Sequence, residues 1–243
     1  SRRPSTPNPA PMPAGTPIMA TRMTTEAGAG LLRLLAWLSP AFPTGGFAWS
    51  HGIEWAVEAG DVTDGASLGD WLADLLRHGS GRNDAILLRH AHRAAGDAAA
   101  LAALAEFARA AAGARERRAE SVGQGNAFAA AAAAWGAEGL RGLADLPYPV
   151  AVGALAGAHG IPEDATAVGF LQAVAANLTS AAVRLIPLGQ SAGLAVLAGL
   201  EAAILDVAAA TRAATLDDFG GACFRADLAA MRHETQYTRL FRS

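Results

Sequence analysis

The fold class is decided by the segment Ser67-Leu-Gly-Asp-Trp-Leu-Ala-Asp-Leu-Leu-Arg-His-Gly79. Its large apolar residues recur three and four positions apart, which places them on one face of an α-helix. These residues are Leu68, Trp71, Leu72, Leu75 and Leu76. Asp70, Asp74 and Arg77 fall on the opposite, polar face. Ser67 with Asp70 three residues later predicts the start of this amphipathic helix, and Gly79 predicts its end.

Helical patterns continue along the rest of the chain. The 243 residues include 62 alanines and no lysine, and alanine is the best helix former and a poor strand former. A first helix is predicted by Leu31, Leu34, Leu35 and Leu38, which share one helix face. Further helices are predicted over 50–59, 84–95, 97–112, 115–135, 150–158, 162–186, 191–210 and 224–237. We therefore expect an all-α fold, a single compact bundle of about eight to ten helices.

The N-terminal segment differs in composition from the rest. Five of the first thirteen residues are proline, and no apolar period is visible before residue 27. Such a segment cannot bury enough apolar surface to offset the entropy of ordering it. We therefore expect a disordered proline-rich extension over 1–26, followed by one all-helical domain over 27–243.

Charge and composition exclude several classes of protein. The net charge of −3 disfavours a nucleic-acid binder, which usually presents a basic face. Because the chain has no lysine, it cannot form a phosphate-binding loop that ends in Gly-Lys-Ser/Thr, nor a lysine Schiff base. Its single cysteine fits a reducing compartment, and no apolar run approaches the ~20 residues of a membrane span. We expect a cytoplasmic protein without a membrane segment.

Metal and cofactor sites are also not expected. His90 and His92 are two residues apart, so on a helix they point in different directions and are interpreted as surface histidines. Cys223 has no potential ligand nearby at a metal-binding spacing and is interpreted as a small buried side chain.

Catalytic carboxylates are likewise not evident. His51 and Glu54, three residues apart, are interpreted as a surface ion pair on a helix. They are also the best candidates for an alternative function, that of a small-molecule enzyme. Glu116 and Glu120 lie among arginines and are interpreted as a solvated helix face. We therefore expect no catalytic residue, and hence no enzyme.

Aromatic residues in irregular segments are the candidates for partner binding. The loop from Ser39 to Phe47 contains two prolines and two glycines, yet it is apolar where a simple turn would be polar. The C-terminal residues carry aromatic and arginine side chains, which often anchor protein interfaces. The candidates are Phe42, Phe47, Trp49, Tyr237, Arg239, Leu240, Phe241 and Arg242. An equally open alternative is that these segments fold onto their own domain.

A polar stripe crosses an otherwise apolar helix. Asn177, Ser180 and Arg184 share one helix face, and Gln190 follows them after a proline. A buried arginine is costly unless it is paired, so this stripe requires partners or water. Together with Ser50, His51 and Glu54 these residues are assigned either to a polar passage or to a structural network.

Four segments in order resemble the urease accessory protein F family. The first is Ser39-Pro-Ala-Phe-Pro-Thr-Gly-Gly-Phe47 with Trp49-Ser-His-Gly-Ile-Glu54, and the second is Trp71-Leu, Asp84 and Arg115-Glu-Arg-Arg-Ala-Glu-Ser121. The third is Asn177-Leu followed by Ala181-Ala-Val-Arg-Leu-Ile-Pro-Leu-Gly-Gln190. The fourth and most specific is His233-Glu-Thr-Gln-Tyr-Thr-Arg-Leu-Phe-Arg-Ser243. The extension 1–26 and the alanine tract 129–134 depart from a typical member.

The resemblance implies an all-helical homodimer that is not an enzyme. It implies two partners, the nickel-carrying GTPase of urease maturation (G type) and the scaffold that docks on urease (D or H type). Their complex would deliver nickel to apo-urease. Regulation of the partner's GTP hydrolysis and an internal nickel route are the two roles that the family suggests, and the sequence does not choose between them. A helical DNA-binding regulator is the remaining alternative, and the acidic composition disfavours it.

Overall fold

A computed structural model describes residues 18–243, with side chains from Glu26 onward. Its helices are α1 Ile18–Trp37, α2 Ile53–Glu58, α3 Gly65–His78, α4 Ser80–Arg93, α5 Ala98–Ala110, α6 Arg115–Ala131, α7 Tyr148–Ala158, α8 Glu163–Leu185, α9 Gln190–Gly199, α10 Glu201–Ala210 and α11 Phe224–His233. Short 3₁₀ helices occur at Gly46–Ala48, Ala132–Trp135, Glu138–Leu140 and Leu216–Asp218. Between residues 18 and 243 there is no strand, which confirms the all-α prediction.

The first helix begins before its predicted start and buries a different face. α1 takes in residues 18–26, which were assigned to the disordered extension; residues 1–17 lie outside the described residues. Leu31 and Leu35 are exposed, so their assignment to the buried face was wrong. Leu34, which was on the predicted face, does face the core, and Trp37 joins it there, because burying the Trp37 ring against Phe128 removes more apolar surface from water than a leucine does.

The second helix starts later than predicted. His51 and Gly52 precede it with left-handed φ angles of 60° and 80°, so helical geometry begins only at Ile53. A Cβ at position 52 would lie 2.7 Å from the backbone nitrogen of Ala230. Glycine at this position therefore lets the loop before α2 pack directly on α11, and the predicted helical start at Ser50 was wrong.

The third helix confirms the predicted apolar face but not its predicted cap. The buried residues of α3 are Leu68, Trp71, Leu72, Leu75 and Leu76. Its N-cap is Asp64, whose carboxylate accepts a hydrogen bond from the Ser67 backbone N–H at 2.8 Å. The Ser67 hydroxyl in turn accepts the N–H of Asp64, so Ser67 closes a capping box from inside the helix.

The centre of the bundle is a close contact between α4 and α7. Nearly all of α7 is apolar and buried. A Cβ at Gly153 would lie 2.1 Å from the Leu88 carbonyl oxygen, and one at Gly157 would lie 2.3 Å from that of His92. The two helices therefore touch backbone to backbone, and only glycine fits at these two positions.

A buried arginine joins this centre to the outer helices. Arg89 on α4 is almost completely buried. Its guanidinium donates to Asp164 at 2.8 Å, to the Thr211 hydroxyl at 3.2 Å and to the Ala208 carbonyl at 2.6 Å, and it also pairs with Glu163. These partners compensate the buried charge and tie α8 and α10 to α4.

Two helical stretches are long and apolar enough to cross a membrane, namely Glu163–Leu185 and Gln190–Ala210. Half of the apolar window of the first is buried in the bundle, and the second is divided at Leu200 into α9 and α10. One face of each packs against the protein core, which accounts for much of their hydropathy. The predicted single helix 191–210 is therefore two.

Substituting Gly153 by alanine is expected to destabilise the bundle. The new methyl group would overlap the Leu88 carbonyl, so α4 and α7 would have to separate, which typically costs about 1–3 kcal/mol or more. The matched control is Gly69→Ala, because a Cβ at that helical position meets nothing within 4 Å and alanine favours the helix by roughly 1 kcal/mol. Urea unfolding of both variants measures the difference, and equal stability would contradict the close contact.

Candidate functional site

The C-terminal segment, residues 234–243, folds back onto the loop that precedes α2. The Arg242 backbone N–H donates to the Ala48 carbonyl at 2.9 Å, and the Ser50 N–H donates to the Ser243 carbonyl at 2.8 Å. Phe241 and Ser243 are buried. The segment is therefore part of the folded domain and is not a free tail.

A buried carboxylate holds this segment in place. Glu54, on α2, accepts the backbone N–H of Leu240 at 2.5 Å and that of Phe241 at 2.9 Å. It also lies 3.1 Å from Nε2 of His233, which is fully buried. Donors from the far end of the chain thus satisfy a carboxylate that would otherwise be costly to bury.

A second buried carboxylate extends the network. Glu116, on α6, lies 2.6 Å from Nδ1 of His233 and accepts from the guanidinium of Arg239 at 2.8 Å. His233 is therefore flanked by two carboxylates, one from α2 and one from α6. We name these residues the carboxylate–histidine network: Glu54, Glu116, His233 and Arg239.

A third buried carboxylate, Glu120, lies one turn further along α6. It pairs with Arg117 and accepts from the Ser243 hydroxyl at 3.1 Å, and it lies 3.6 Å from Nδ1 of His51. Burial would raise the pKa of Glu120, but Arg117 and His51 outweigh it and lower that pKa to about 2. Burial and the Arg117 charge lower the pKa of His51, whose Nε2 contacts the Ser80 hydroxyl at 2.6 Å.

Two cavities lie beside this network. One, of about 190 Å³, is bounded by the loop before α2 and by α6 and α8; the other, of about 250 Å³, lies between α4, α6 and α11. Asp84, Arg117 and Ser121 line both, so the same side chains form the partition between them. Burial raises the pKa of Asp84 to about 7 although Arg117 opposes the shift.

The residues predicted to bind partners fall into two groups. Tyr237, Leu240 and Phe47 are exposed, with Tyr237 completely so. Of the others, Phe42, Trp49 and Phe241 are buried, whereas Arg239 and Arg242 are exposed but contact groups of their own chain. Phe42 packs on Phe128 with a ring separation of 5.4 Å. Trp49 and Phe241 are buried beneath arginines, Arg242 and Arg184 respectively, and Arg239 is committed to the carboxylate–histidine network.

The predicted polar stripe is only partly brought together. Asn177 and Ser180 line the first cavity with His51, and the Asn177 amide donates to the Gly46 carbonyl at 3.1 Å. Arg184 is exposed, so the expected cost of burying it does not arise; it donates to the Phe47 carbonyl at 2.8 Å. Gln190 is exposed at the start of α9 and does not line the cavity.

Several interpretations of titratable residues were wrong. His51 and Glu54 do not form a surface ion pair, because both are buried and each has other partners. Glu116 and Glu120 are not a solvated face. They share one helix face with Gln124, which is also buried.

The remaining histidines and the cysteine also differ from expectation. His90 and His92 are half-buried, and their Nε2 atoms contact the carbonyls of Ala214 and Ile161 at 3.2 and 2.7 Å. Cys223 is only half-buried, and desolvation raises the pKa of its thiol. Among residues whose side chains are described, no three His, Cys, Asp or Glu side chains are arranged as a metal site.

Sequence reasoning missed the partners of these carboxylates. His233, Asp84, Arg117 and Ser243 were not singled out as functional candidates, although all four lie in the segments that carry the resemblance. No periodicity could have paired them, because Glu54 and His233 are 179 positions apart.

The Asp84→Asn variant is expected to be more stable than the wild type at pH 8. Folding raises the pKa of Asp84 from its ordinary 3.8 to about 7. The folded protein thus keeps a proton that the unfolded chain loses, so the wild-type free energy of unfolding falls as the pH rises from about 4 to about 7. Asparagine cannot ionise. Because cavity water screens the charge, we expect a gain of about 1–2 kcal/mol rather than the full shift.

Urea unfolding at several pH values checks this expectation. The gain should vanish below about pH 3, where the aspartate is protonated in both the folded and the unfolded state. Asp70→Asn, at an exposed position of α3, is the control and should show no such pH dependence. Parallel pH profiles for Asp84→Asn and the wild type would contradict the buried, protonated Asp84.

Comparison with known proteins places the chain in a family. The UreF family pattern matches residues 62–201. The urease accessory protein UreF of Bradyrhizobium diazoefficiens is 53% identical over 240 residues, which cover 96% of this chain and 99% of that protein. Those of Rhodopseudomonas palustris strain TIE-1 and Xanthobacter autotrophicus are 52% and 53% identical over 92% and 90% of the chain, and over 97% and 93% of their own lengths. The chain therefore belongs to the UreF family of urease accessory proteins, which support urease maturation.

Proposed function

We propose that this protein is an adaptor in urease maturation, without catalytic activity of its own. It would join the nickel-carrying GTPase to the scaffold that docks on urease, as a cytoplasmic homodimer, so that nickel reaches apo-urease. Family membership supports the setting. The observation that carries the adaptor role is the C-terminal segment, which is anchored to the core and yet presents large apolar side chains to solvent.

The anchoring and the exposure involve different residues. Phe241 and Ser243 are buried, while Tyr237 and Leu240, which precede them in the chain, are exposed. A rigidly held segment loses little entropy when a partner binds, so its exposed side chains can contribute most of their contact energy to affinity. Tyrosine is among the residues most enriched in binding hot spots. We assign this surface to the scaffold partner.

The two alternatives are less well supported. A small-molecule enzyme would need His51 and Glu54 to face a substrate. His51 instead contacts Glu120 and Ser80, and Glu54 accepts three hydrogen bonds from its own chain. A DNA-binding regulator would need a basic face, and the acidic sequence does not favour one.

A second role, an internal route for nickel, is favoured by the paired cavities. They share Asp84, Arg117 and Ser121 as a partition. Groups that can exchange a divalent cation line both sides, the His51 imidazole and the Glu120 carboxylate on one and the Asp227 carboxylate on the other. Nickel would be cargo on this route. Regulation of the partner's GTP hydrolysis is a different consequence that the same docking would allow.

Removing the exposed side chains of the C-terminal segment is expected to weaken scaffold binding without unfolding the protein. The double variant Tyr237→Ala with Leu240→Ala removes only surface groups, and hot-spot losses are usually about 2 kcal/mol or more. Calorimetric titration with the purified scaffold protein measures the affinity. Leu205→Ala, at an exposed leucine on α10, is the control and should bind normally.

Deleting residues 235–243 removes both the exposed side chains of the segment and the residues that anchor it to the core. It removes the donors of Glu54 and Glu120, so it is expected to lower the melting temperature as well as the scaffold affinity. If the double variant bound the scaffold with wild-type affinity, the adaptor surface would have to lie elsewhere.

Blocking the partition is expected to separate nickel delivery from partner binding. Ser121→Leu would place a larger side chain where the two cavities meet, so urease activation should fall while both partners still bind. Ala119→Leu, at an exposed position of the same helix, is the control. Activation is measured with purified partners and limiting nickel, and melting temperatures establish that both variants fold. Normal activation by Ser121→Leu would argue against the route.

A further inference from the structure

A third cavity, of about 170 Å³, opens on the surface between α3 and α11. It shares no lining residue with the two cavities beside the carboxylate–histidine network. Its volume is below the roughly 300–1,000 Å³ that is typical of small-molecule sites, so it suits a single side chain. We name it the acidic–aromatic pocket after the side chains that dominate its lining, which are Asp61, Asp70, Trp71, Asp74 and Arg225.

The Trp71 indole brings an unused hydrogen-bond donor to this pocket. The residue is only 8% exposed, and its Nε1–H has no acceptor among the residues that the structure describes. The N–H of a buried tryptophan usually finds an acceptor, and a buried donor without one is costly. A ligand that brings a carbonyl oxygen to Trp71 would therefore form a hydrogen bond that the described chain does not form by itself.

The pocket also has an excess of negative charge. Three carboxylates line it against one guanidinium, so the formal charge of the lining is −2. Arg225 pairs with Asp61, whereas Asp70 and Asp74 have no ion-pair partner within the described part of the chain. Two carboxylates thus remain available to a cation from outside the molecule.

Arg225 shows how a guanidinium can bind in this pocket. Its Cζ lies 5.7 Å from the centre of the Trp71 ring while its guanidinium pairs with Asp61. This distance is near the limit of roughly 6 Å for a cation–π contact. Arginine suits such a site because its planar guanidinium can stack on a ring and pair with carboxylates at the same time. The pocket is therefore built for a guanidinium, and its own arginine satisfies only one of the three carboxylates.

We propose that the acidic–aromatic pocket receives an arginine side chain of a partner protein. The incoming guanidinium pairs with Asp70 and Asp74 and replaces Arg225 on the face of Trp71. The backbone carbonyl of the incoming arginine accepts the Trp71 Nε1–H. This docking goes beyond the adaptor role proposed above, because it uses a different surface from the C-terminal segment and does not depend on any urease partner.

The surroundings of the pocket favour a polypeptide over a free amino acid. Leu228, one turn after Arg225 on α11, is exposed, as is Phe224 one turn before Leu228. These side chains continue the surface with apolar groups that a polypeptide can cover. A free amino acid would bring its own carboxylate close to Asp70 and Asp74, which repel it. An arginine within a chain has no such group beside it.

The first test is a titration of the full-length protein in low-salt buffer with N-acetyl-arginine N-methylamide. Binding is followed by NMR of the Trp71 indole N–H, which is assigned by its loss in Trp71→Phe. We expect this signal to shift and to saturate at millimolar concentrations of the probe. N-acetyl-citrulline N-methylamide has nearly the same shape without the charge. It should bind at least about fourfold more weakly, because each exposed ion pair typically changes affinity by about two- to fivefold.

Variants of the pocket give changes of opposite sign. Asp70→Asn combined with Asp74→Asn should weaken binding of the arginine probe by about fourfold or more. Arg225→Gln should strengthen it by about two- to fivefold, because it removes the competing guanidinium and frees Asp61. Glu106→Gln, at an exposed carboxylate of α5, is the control and should bind like the wild type. Melting temperatures establish that each variant is folded.

Four results would overturn the proposal. They are a Trp71 indole signal that does not respond to the arginine probe, equal binding of the citrulline probe, unchanged binding by the folded double aspartate variant, and weaker binding by folded Arg225→Gln. Free arginine is the remaining comparison. It should bind more weakly than the capped probe, and tighter binding would identify a small-molecule site in place of a docking site. If Arg225→Gln does not fold, the double aspartate variant decides.

Discussion

The structure depends on the requirement that a buried carboxylate be given hydrogen-bond donors. Glu54, Glu116 and Glu120 are all buried, and an unpaired charge in such a place would cost several kcal/mol. Their donors come mostly from the last eleven residues, through His233, Arg239, two backbone N–H groups and the Ser243 hydroxyl. The end of the chain is therefore a structural component of its own core.

The irregular backbone before α2 is a consequence of this requirement. Helix α2 begins only at Ile53, and the Ser50 N–H donates to the Ser243 carbonyl at 2.8 Å. The left-handed conformations of His51 and Gly52 direct the Ser50 N–H to Ser243, and Gly52 allows the contact with the backbone of α11. The strain of a left-handed His51 is small beside the cost of leaving these polar groups unsatisfied.

The same network links the two features that bear on function. On one side it positions the segment whose Tyr237 and Leu240 face solvent. On the other, Glu120 lines the first cavity and pairs with Arg117, which lies between the two cavities. A partner docked on the segment would thus lie one hydrogen-bonded layer away from the proposed nickel route. This proximity offers a physical basis for joining partner binding and cation transfer.

Much of the local structure could be read from the sequence. Alanine content and the spacing of Leu68, Trp71, Leu72, Leu75 and Leu76 were sufficient to predict helices and one buried face, because helix propensity and amphipathicity act over a few neighbouring residues. The four ordered segments were sufficient to indicate the family. Tyr237 and Leu240, predicted from the sequence as candidates for partner binding, are exposed, although their supporting contacts were not visible in the sequence.

Only the tertiary structure decided which polar residues are buried and which residues are their hydrogen-bond or ion-pair partners. Glu116 and Glu120 have the spacing of a solvated helix face, and nothing local marks His233 as their partner. Likewise, the choice between Leu31 and Trp37 as the buried side of α1 depended on what α1 packs against. Local sequence sets the period of a helix, but desolvation and pairing energies depend on groups that meet only after the chain has folded, here from positions 54, 116 and 233.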